Sequence, residues 1–366
     1  MNDPDRYITV AIHTLDRAVE LKQRLEQAGV EAMLHNVNLE DPVLASGVRV
    51  RIHERDLPLA LRVIESPSSS AQQSHWVLVP IDFSDYSLSS CRIGIEYASY
   101  IHGQVLVMHT YLNERRSMLL PLPAGRDDSA ATATDEQLRA TAQMKMNDFL
   151  NDLRRMMTAG ELPAVPIKSM ITTGIPEEQI LHTAQEHDVS LIVMGTNGTH
   201  HRRRQNVMGS VTAEVLDACQ FPIFTIPIDI SIRSLADIRQ VVFFSNLIPQ
   251  DILSFDSFAR MFHQVHSPLQ ITIVPVVEKG DREVVDKSLQ QLLTYCRQHY
   301  PMHEFKIKRI AARNFLDKFN DFVQSEGIDL IAVPDKKRNI FARLFNPSIA
   351  HRVLFQADTP MLVVPV

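Results

Sequence analysis

The sequence of 366 residues has few cysteines, no long apolar run and no excess of basic residues. Its three cysteines, Cys91, Cys219 and Cys296, are far apart and form no CxxC pair, which argues against a disulfide framework and against a zinc site. No apolar run approaches the roughly 20 residues that a helix needs to cross a bilayer. The formal net charge of −6 gives no general reason to expect nucleic-acid binding.

Common catalytic patterns are also missing. The sequence contains no HExxH, no GxSxG and no nucleophile with an evident base and orienting group, so we assign no catalytic residue and no metal ligand. The first residues, MNDPDRYITV, lack the basic and apolar regions of a signal peptide. Together with the scarcity of cysteine, this favours a cytoplasmic location without a membrane partner.

Residues 1–66 predict a small α+β domain. Apolar alternation predicts strands at Ile8–Ile12 and Val48–Ile52, and Glu31–Asn36 is expected to form another strand between them. Apolar residues at helical spacing predict a helix that Gly29 ends, and Pro58 begins a second helix. The order is therefore βαββα, and the polar residues 66–74, SPSSSAQQS, read as a linker.

From His75 onward, strands and helices alternate, which predicts an α/β fold with a parallel sheet. The expected strands are Val77–Ile81, Gln104–His109, Val165–Ile171, Leu191–Met194 and Pro222–Ile228. The expected helices are Tyr86–His102, Thr134–Met157, Pro176–His187 and Val211–Cys219, with a long insertion at 113–133.

The last 130 or so residues repeat this pattern. The segment HRVLFQADTPMLVVPV at the end matches AEVLDACQFPIFTIPI, and IDLIAV matches VSLIVM. An internal duplication explains these matches economically. We therefore expect two tandem domains, at 75–229 and 236–366.

A glycine-spaced loop distinguishes the two copies. Gly195, Gly198 and Gly209 follow a buried run, and Ser210 then opens a helix. Backbone amides can converge on a phosphate only where no Cβ blocks the approach, and a helix N-terminus adds free N–H groups. In the second copy Pro334, Lys337 and Pro347 stand at the glycine positions, and proline has no N–H to donate. The first copy is therefore predicted to bind phosphate and the second is not.

The segments VPIDFSDYS, TTGIPEEQI, VMGTNG and the helix start GSVT together resemble the universal stress protein family, over residues 75–366 as two tandem copies. This resemblance implies two five-stranded parallel-sheet domains of Rossmann-like type. ATP-binding members of that family carry G-x2-G-x9-G-[ST], whereas this chain has ten residues between Gly198 and Gly209. The segment LEQAGVEA resembles a family of small signal-transducing modules of ferredoxin-like shape, which covers about 60 residues.

The resemblance implies an adenine-nucleotide site made of Asp82, Thr110, Met194, Gly195, Gly198, Gly209 and Ser210. Asp82 would accept a hydrogen bond from the ribose or the adenine amine, or hold Mg²⁺ through water. Thr110 and Met194 would contact adenine through their backbones, while the glycines and Ser210 would take the phosphates. The alternative is that Asp82 or Ser84 only caps the next helix, although Asp85 could do this alone. Thr212 is a weaker candidate.

These observations favour a nucleotide-binding regulatory protein of the stress response, with ATP or another adenine nucleotide as its ligand. Two alternatives stay open: a slow Mg²⁺-dependent ATPase that uses Asp82, and a structural adaptor without nucleotide. The closing strands, PIFTIPI at 222–228 and PMLVVPV at 360–366, are short and apolar. Each closing strand would leave an exposed apolar edge on its own sheet, and such an edge invites pairing with another strand. We therefore expect the two closing strands to join the two copies into an intramolecular pseudo-dimer. A homodimer is a further option.

Overall fold

The structure is a computed structural model. It describes residues 7–13, 15–36, 48–56, 59–60, 63, 75–112, 128–196, 209–218, 220–227, 233–245, 247, 250–263, 265, 268–275, 282–310, 315–335 and 359–365. The chain divides into two compact units, Met1–Gln73 and Ser74–Val366. No helix within the described ranges is long and apolar enough to cross a membrane.

The first unit is a three-stranded antiparallel sheet with a helix packed against it. Its elements are β1 (Tyr7–His13), α1 (Leu15–Gln27), β2 (Ala32–Asn36) and β3 (Val48–His53), with the strand order β1-β3-β2. Apolar residues of α1, including Leu21 and Leu25, pack against Val50 and Ile52 of the sheet. The helix ends before Gly29, whose φ of +83° is the left-handed conformation that glycine adopts readily.

The expected alternation of the first strand is interrupted. The pairing of β1 with β3 shifts register between Thr9 and Ala11. The residues before and after Val10 therefore do not continue one regular alternation along the strand. A bulge of this kind depends on the partner strand, and the sequence of β1 alone does not reveal it.

The second unit contains ten strands in one sheet. They are β4 (Trp76–Pro80), β5 (Gln104–Tyr111), β6 (Ile167–Thr173), β7 (Leu191–Gly195), β8 (Ile223–Ile226), β9 (Gln240–Ser245), β10 (Gln270–Pro275), β11 (Glu304–Ile307), β12 (Leu330–Asp335) and β13 (Met361–Pro365). The described helices are α2 (Asp85–Tyr100), α3 (Asp128–Thr158), α4 (Pro176–Glu186), α5 (Ser210–Ala218), α6 (Gln250–His263), α7 (Arg282–His299) and α8 (Phe315–Ser325).

The strand order is β11-β10-β9-β12-β13-β8-β7-β4-β5-β6. Each half of five strands has the same internal order, in which the first strand of the half lies at the centre. Within each half the strands are parallel, and the two halves meet where β8 pairs antiparallel with β13, with Phe224 opposite Leu362. The α/β class with a mostly parallel sheet, predicted from the alternation of elements, is confirmed.

Helices cover both faces of this sheet, which explains why its strands read as nearly continuous apolar runs. One core cluster spans both halves on the face that carries α2, α3, α6 and α7, and includes Val79, Phe224 and Phe305. On the opposite face, α4 and α5 pack over the first half, and α8 packs over the second.

Several predicted boundaries differ from the observed ones. The long helix begins at Asp128, six residues before the predicted Thr134, so the predicted insertion at 113–133 ends in helix. Its alanine-rich start has no apolar period, which is why the sequence pattern missed it. β6 ends at Thr173 instead of Ile171, and β5 continues to Tyr111. Residues 113–127 lie outside the described residues.

Candidate functional site

The candidate site lies at the carboxyl ends of β4, β5 and β7, which are neighbours in the order β7-β4-β5. Open parallel sheets bind ligands at this edge, beside the point where the strand order reverses. Asp82 follows β4, Thr110 lies near the end of β5, and Gly195 ends β7. The sheet therefore brings these three predicted residues to one edge.

Asp82 is held by the turn that follows β4. Its Oδ1 accepts hydrogen bonds from the Ser84 N–H at 3.0 Å, from the Ser87 hydroxyl at 3.0 Å and from the Ser84 hydroxyl. The Asp82 N–H donates in turn to Ser87 Oγ at 3.1 Å. The orientation of this carboxylate is thus fixed by its own turn and by the first turn of α2.

The prediction that Asp85 could cap α2 alone is wrong. Asp85 is the first residue of the helix, and Ser84 occupies the N-cap position without a side-chain capping bond. The Asp82 carboxylate accepts a hydrogen bond from the N-cap residue, Ser84, so Asp82 stabilises the turn whether or not it also binds a ligand.

Phe83, between Asp82 and Ser84, has the unusual backbone angle φ of +63°. Aromatic residues rarely adopt this left-handed conformation, and it persists only where surrounding contacts impose it. The Phe83 ring lies 4.3 Å from the His109 ring and 6.2 Å from the Phe149 ring, measured between centroids. The Lys145 ammonium is 6.0 Å from the same Phe83 ring.

His109 supports this turn from β5. Its Nδ1 lies 2.8 Å from the Ile81 carbonyl oxygen, which can only accept, so Nδ1 carries the hydrogen. Burial lowers the pKa of His109 below its usual value. The Ile81 carbonyl and the Asp82 carboxylate oppose this effect, and the Lys145 charge adds to it.

The Thr110 side chain lies beside a polar group, whereas the Met194 side chain lies in the apolar core. The Thr110 hydroxyl is 3.0 Å from that of Thr172 on the neighbouring strand β6, so the two side chains satisfy each other. Met194 is buried in the core between the sheet and the helices α4 and α5. The Met194 side chain is therefore unavailable to a ligand, and a contact through its backbone stays a prediction.

The predicted phosphate loop starts and ends at one point. The chain leaves β7 at Thr196 and returns at Gly209, whose N–H donates to the Thr196 carbonyl at 2.8 Å. Ser210 then begins α5 with an exposed side chain. The Gly209 amide is therefore already used, whereas the first turn of α5 opens beside the end of β7.

Thr212 has a structural role. Its buried hydroxyl donates to the Gly195 carbonyl at 2.8 Å and ties α5 to the end of β7. Gly198 lies outside the described residues, as do Lys337 and Pro347. Their predicted roles stay predictions.

The corresponding edge of the second half is built differently. Leu247 has a φ of +58°, close to that of Phe83, but its N–H donates to Ser245 Oγ at 3.1 Å. The Ser245 hydroxyl donates to the buried carboxylate of Asp251 at 2.6 Å. Pro334 lies within β12 at the place that Gly195 has in β7. At this edge the carboxylate is that of Asp251, and it lies in the protein interior.

Within the described ranges, no group of three or more histidine, cysteine, aspartate or glutamate side chains could hold a metal ion. The features that sequence reasoning missed are the left-handed Phe83, the Ile81–His109 hydrogen bond and the contact of Ser87 with Asp82. In the sequence, the only sign of these contacts is His109, one position before Thr110. Its partner is the backbone carbonyl of Ile81, which a sequence pattern does not reveal.

Residues 75–227 match the model of the universal stress protein family. Among curated proteins, the chain is 24% identical over 157 residues to universal stress protein MJ0577 of Methanocaldococcus jannaschii, covering 41% of this chain and 93% of that protein. It is 33% identical over 70 residues to a universal stress protein of Methanothermobacter thermautotrophicus, covering 19% of this chain and 47% of that protein.

Among solved structures, a universal stress protein from Archaeoglobus fulgidus superposes with a TM-score of 0.51 at 15% identity, over 80% of this chain and 98% of that one. At this identity the likeness shows the fold alone. Residues 75–227 thus match a domain of the universal stress protein family.

Proposed function

We propose that the domain at 75–227 binds an adenine nucleotide such as ATP and that the protein has a regulatory role in the stress response. One observation carries the proposal. The fixed carboxylate of Asp82, the end of β7 at Gly195 and the first turn of α5 at Ser210 lie at one edge of the sheet. The family resemblance assigns those three positions to a nucleotide.

The parts of this edge suit the chemistry of a nucleotide. A carboxylate whose Oδ1 is held by serine groups is preorganised to interact with hydroxyl or amine donors of the ligand. The N-terminus of α5 offers N–H groups and the positive end of a helix dipole for phosphate. The Gly209 N–H, just before that helix end, is hydrogen-bonded to the Thr196 carbonyl, which follows β7.

We further propose that residues 236–366 are a second, non-binding copy that completes the sheet. The same strand order and the same left-handed turn, at Leu247, support the duplication. The absence of an amide at Pro334 and the interior position of the Asp251 carboxylate support the loss of binding. The Mg²⁺-dependent ATPase stays an alternative that steady-state phosphate release would favour.

Calorimetric titration of the full chain with ATP tests this function. We expect binding by the wild type and a loss of about 10-fold or more in affinity for Asp82→Asn, since a hydrogen bond to a charged group is removed. The matched control is Asp329→Asn, because the Asp329 carboxylate also accepts two backbone hydrogen bonds, from Arg239 and Gln240, at the opposite end of the strands. Absence of ATP binding by the folded wild type would overturn the proposal, as would equal losses in both variants.

A further inference from the structure

The left-handed turn after the first strand occurs in both halves of the sheet, but it is held in two different ways. Phe83 and Leu247 have φ values of +63° and +58°, and neither is a glycine. A residue with a Cβ stays in this conformation only when neighbouring groups impose it. The groups that hold this left-handed conformation in each half therefore indicate the function of the turn in that half.

In the first half, His109 contacts the turn from the neighbouring strand. Its Nδ1–H donates to the Ile81 carbonyl at 2.8 Å, immediately before Asp82. Its ring contacts the Phe83 ring at 4.3 Å, immediately after Asp82. The histidine thus contacts the residue on each side of the candidate ligand-binding carboxylate.

In the second half, the residue at the same register is a proline. Pro80 pairs with Met108 in the first half, and Phe244 pairs with Val274 in the second, so Pro275 stands where His109 stands. Proline cannot donate a hydrogen bond, and there the Ser245 hydroxyl and Asp251 hold the turn instead. The fold can therefore make this turn without a histidine, and the histidine occurs in the half that carries Asp82.

We infer that His109 is a positioning residue of the nucleotide site, which holds the Ile81–Phe83 turn in the shape that presents Asp82 to the ligand. The inference rests on the proposed function. Without the Nδ1–H donor and the ring contact, nothing in β5 keeps Phe83 left-handed. The hydrogen bonds from Ser84 and Ser87 still hold the carboxylate within the turn, but the turn as a whole can shift, and the carboxylate then moves with it relative to the ligand.

The charged groups that face His109 are the Asp82 carboxylate from the turn and the Lys145 ammonium from α3. Burial favours the neutral imidazole, which is the form that fits one donated hydrogen bond to Ile81. Protonation places a second donor and a positive charge in this half-buried position. Nucleotide affinity should therefore fall as the pH is lowered through the depressed pKa of His109, which lies below the ordinary histidine value of about 6.5.

The test compares ATP affinities of His109→Asn, His109→Gln and His109→Ala in the full chain by calorimetry. The asparagine amide nitrogen sits where Nδ1 sits, whereas the glutamine amide reaches the place of Nε2. We expect His109→Asn to bind within about 3-fold of the wild type and the other two to lose about 10-fold, the effect of one lost hydrogen bond. The fall in affinity between pH 7.5 and 5.5 should be smaller in His109→Asn than in the wild type, and the comparison cancels the titration of ATP itself.

The matched control is His303→Asn, which replaces another buried histidine whose pKa burial lowers, at the far end of the sheet. It should leave ATP affinity unchanged. If the wild type binds ATP and His109→Ala binds equally well, or if asparagine and glutamine have equal effects, the inference is overturned and the proposed function stands. If His109→Ala does not fold, the asparagine and glutamine pair decides. A wild type that binds no ATP overturns both.

Discussion

Replacing Phe305 by alanine tests whether the ten strands form one cooperative unit. Phe305 lies in the edge strand β11, is 7% exposed and packs 5.8 Å from the Phe255 ring. The only tryptophan, Trp76, lies in β4, seven strands away along the sheet. At about 4.8 Å between strands, the two strands are about 34 Å apart along the sheet.

The expected cost follows from the burial of the ring. Phenylalanine-to-alanine changes in cores cost about 3–5 kcal/mol, and the edge position places this site near the lower value. Because one core cluster contains both Phe305 and residues that flank Trp76, such as Val77, the whole cost should appear in the unfolding of the first half. With a denaturant slope of about 3 kcal/mol/M, the urea midpoint seen by Trp76 fluorescence should fall by about 1 M.

The assay is equilibrium urea unfolding followed by Trp76 fluorescence and by far-UV circular dichroism. Met302→Ala is the matched control, since Met302 lies three residues away and is 45% exposed, and its midpoint should move by less than about 0.2 M. A Trp76 midpoint that does not move in Phe305→Ala, while circular dichroism resolves a separate shifted transition, would refute a shared core. The two halves would then unfold independently.

Three further predictions can be checked with the same protein. A chain truncated after Ile228 should form concentration-dependent dimers or aggregates in light scattering, because the edge of β8 that pairs with β13 becomes exposed; a well-behaved monomer would contradict this. Gly198→Val should abolish ATP binding in calorimetry while the circular dichroism spectrum stays unchanged, since a branched Cβ blocks the phosphate approach. Burial lowers the pKa of His303 in the folded state, so the unfolded chain binds the proton more tightly and stability is lost as the pH falls through about 6.5. The urea midpoint should therefore drop less between pH 7.5 and 5.5 in His303→Asn than in the wild type, and equal drops would exclude His303 as a contributor.

The elements that local sequence predicts well are those whose pattern is set by burial. The runs Leu191–Met194 and Val77–Ile81 are apolar because both faces of their strands are covered, and their predicted bounds lie within one residue of the observed ones. The end of α1 just before Gly29 is predictable because left-handed backbone favours glycine. In these cases the type of residue at the position is itself the reason for the local structure.

The elements that sequence missed have causes elsewhere in the chain. Phe83 adopts a left-handed backbone because His109, on another strand, contacts the residues around it, and the identity of phenylalanine argues against that conformation. The register shift at Thr9 depends on β3. For the candidate site, the sequence predicted Asp82, Gly195 and Ser210 at one edge, but it could not predict that Ser87 would fix the carboxylate or that Thr196 would occupy the Gly209 amide.

Calorimetric stoichiometry with ATP tests the central claim most directly. Because the second half has Pro334 in place of Gly195 and holds its Asp251 carboxylate in the interior, the full chain should bind about one ATP per molecule. Asp82→Asn should weaken that single site. Two equivalent sites per chain, no detectable binding, or unchanged affinity in Asp82→Asn would contradict the assignment of the nucleotide to this edge of the sheet.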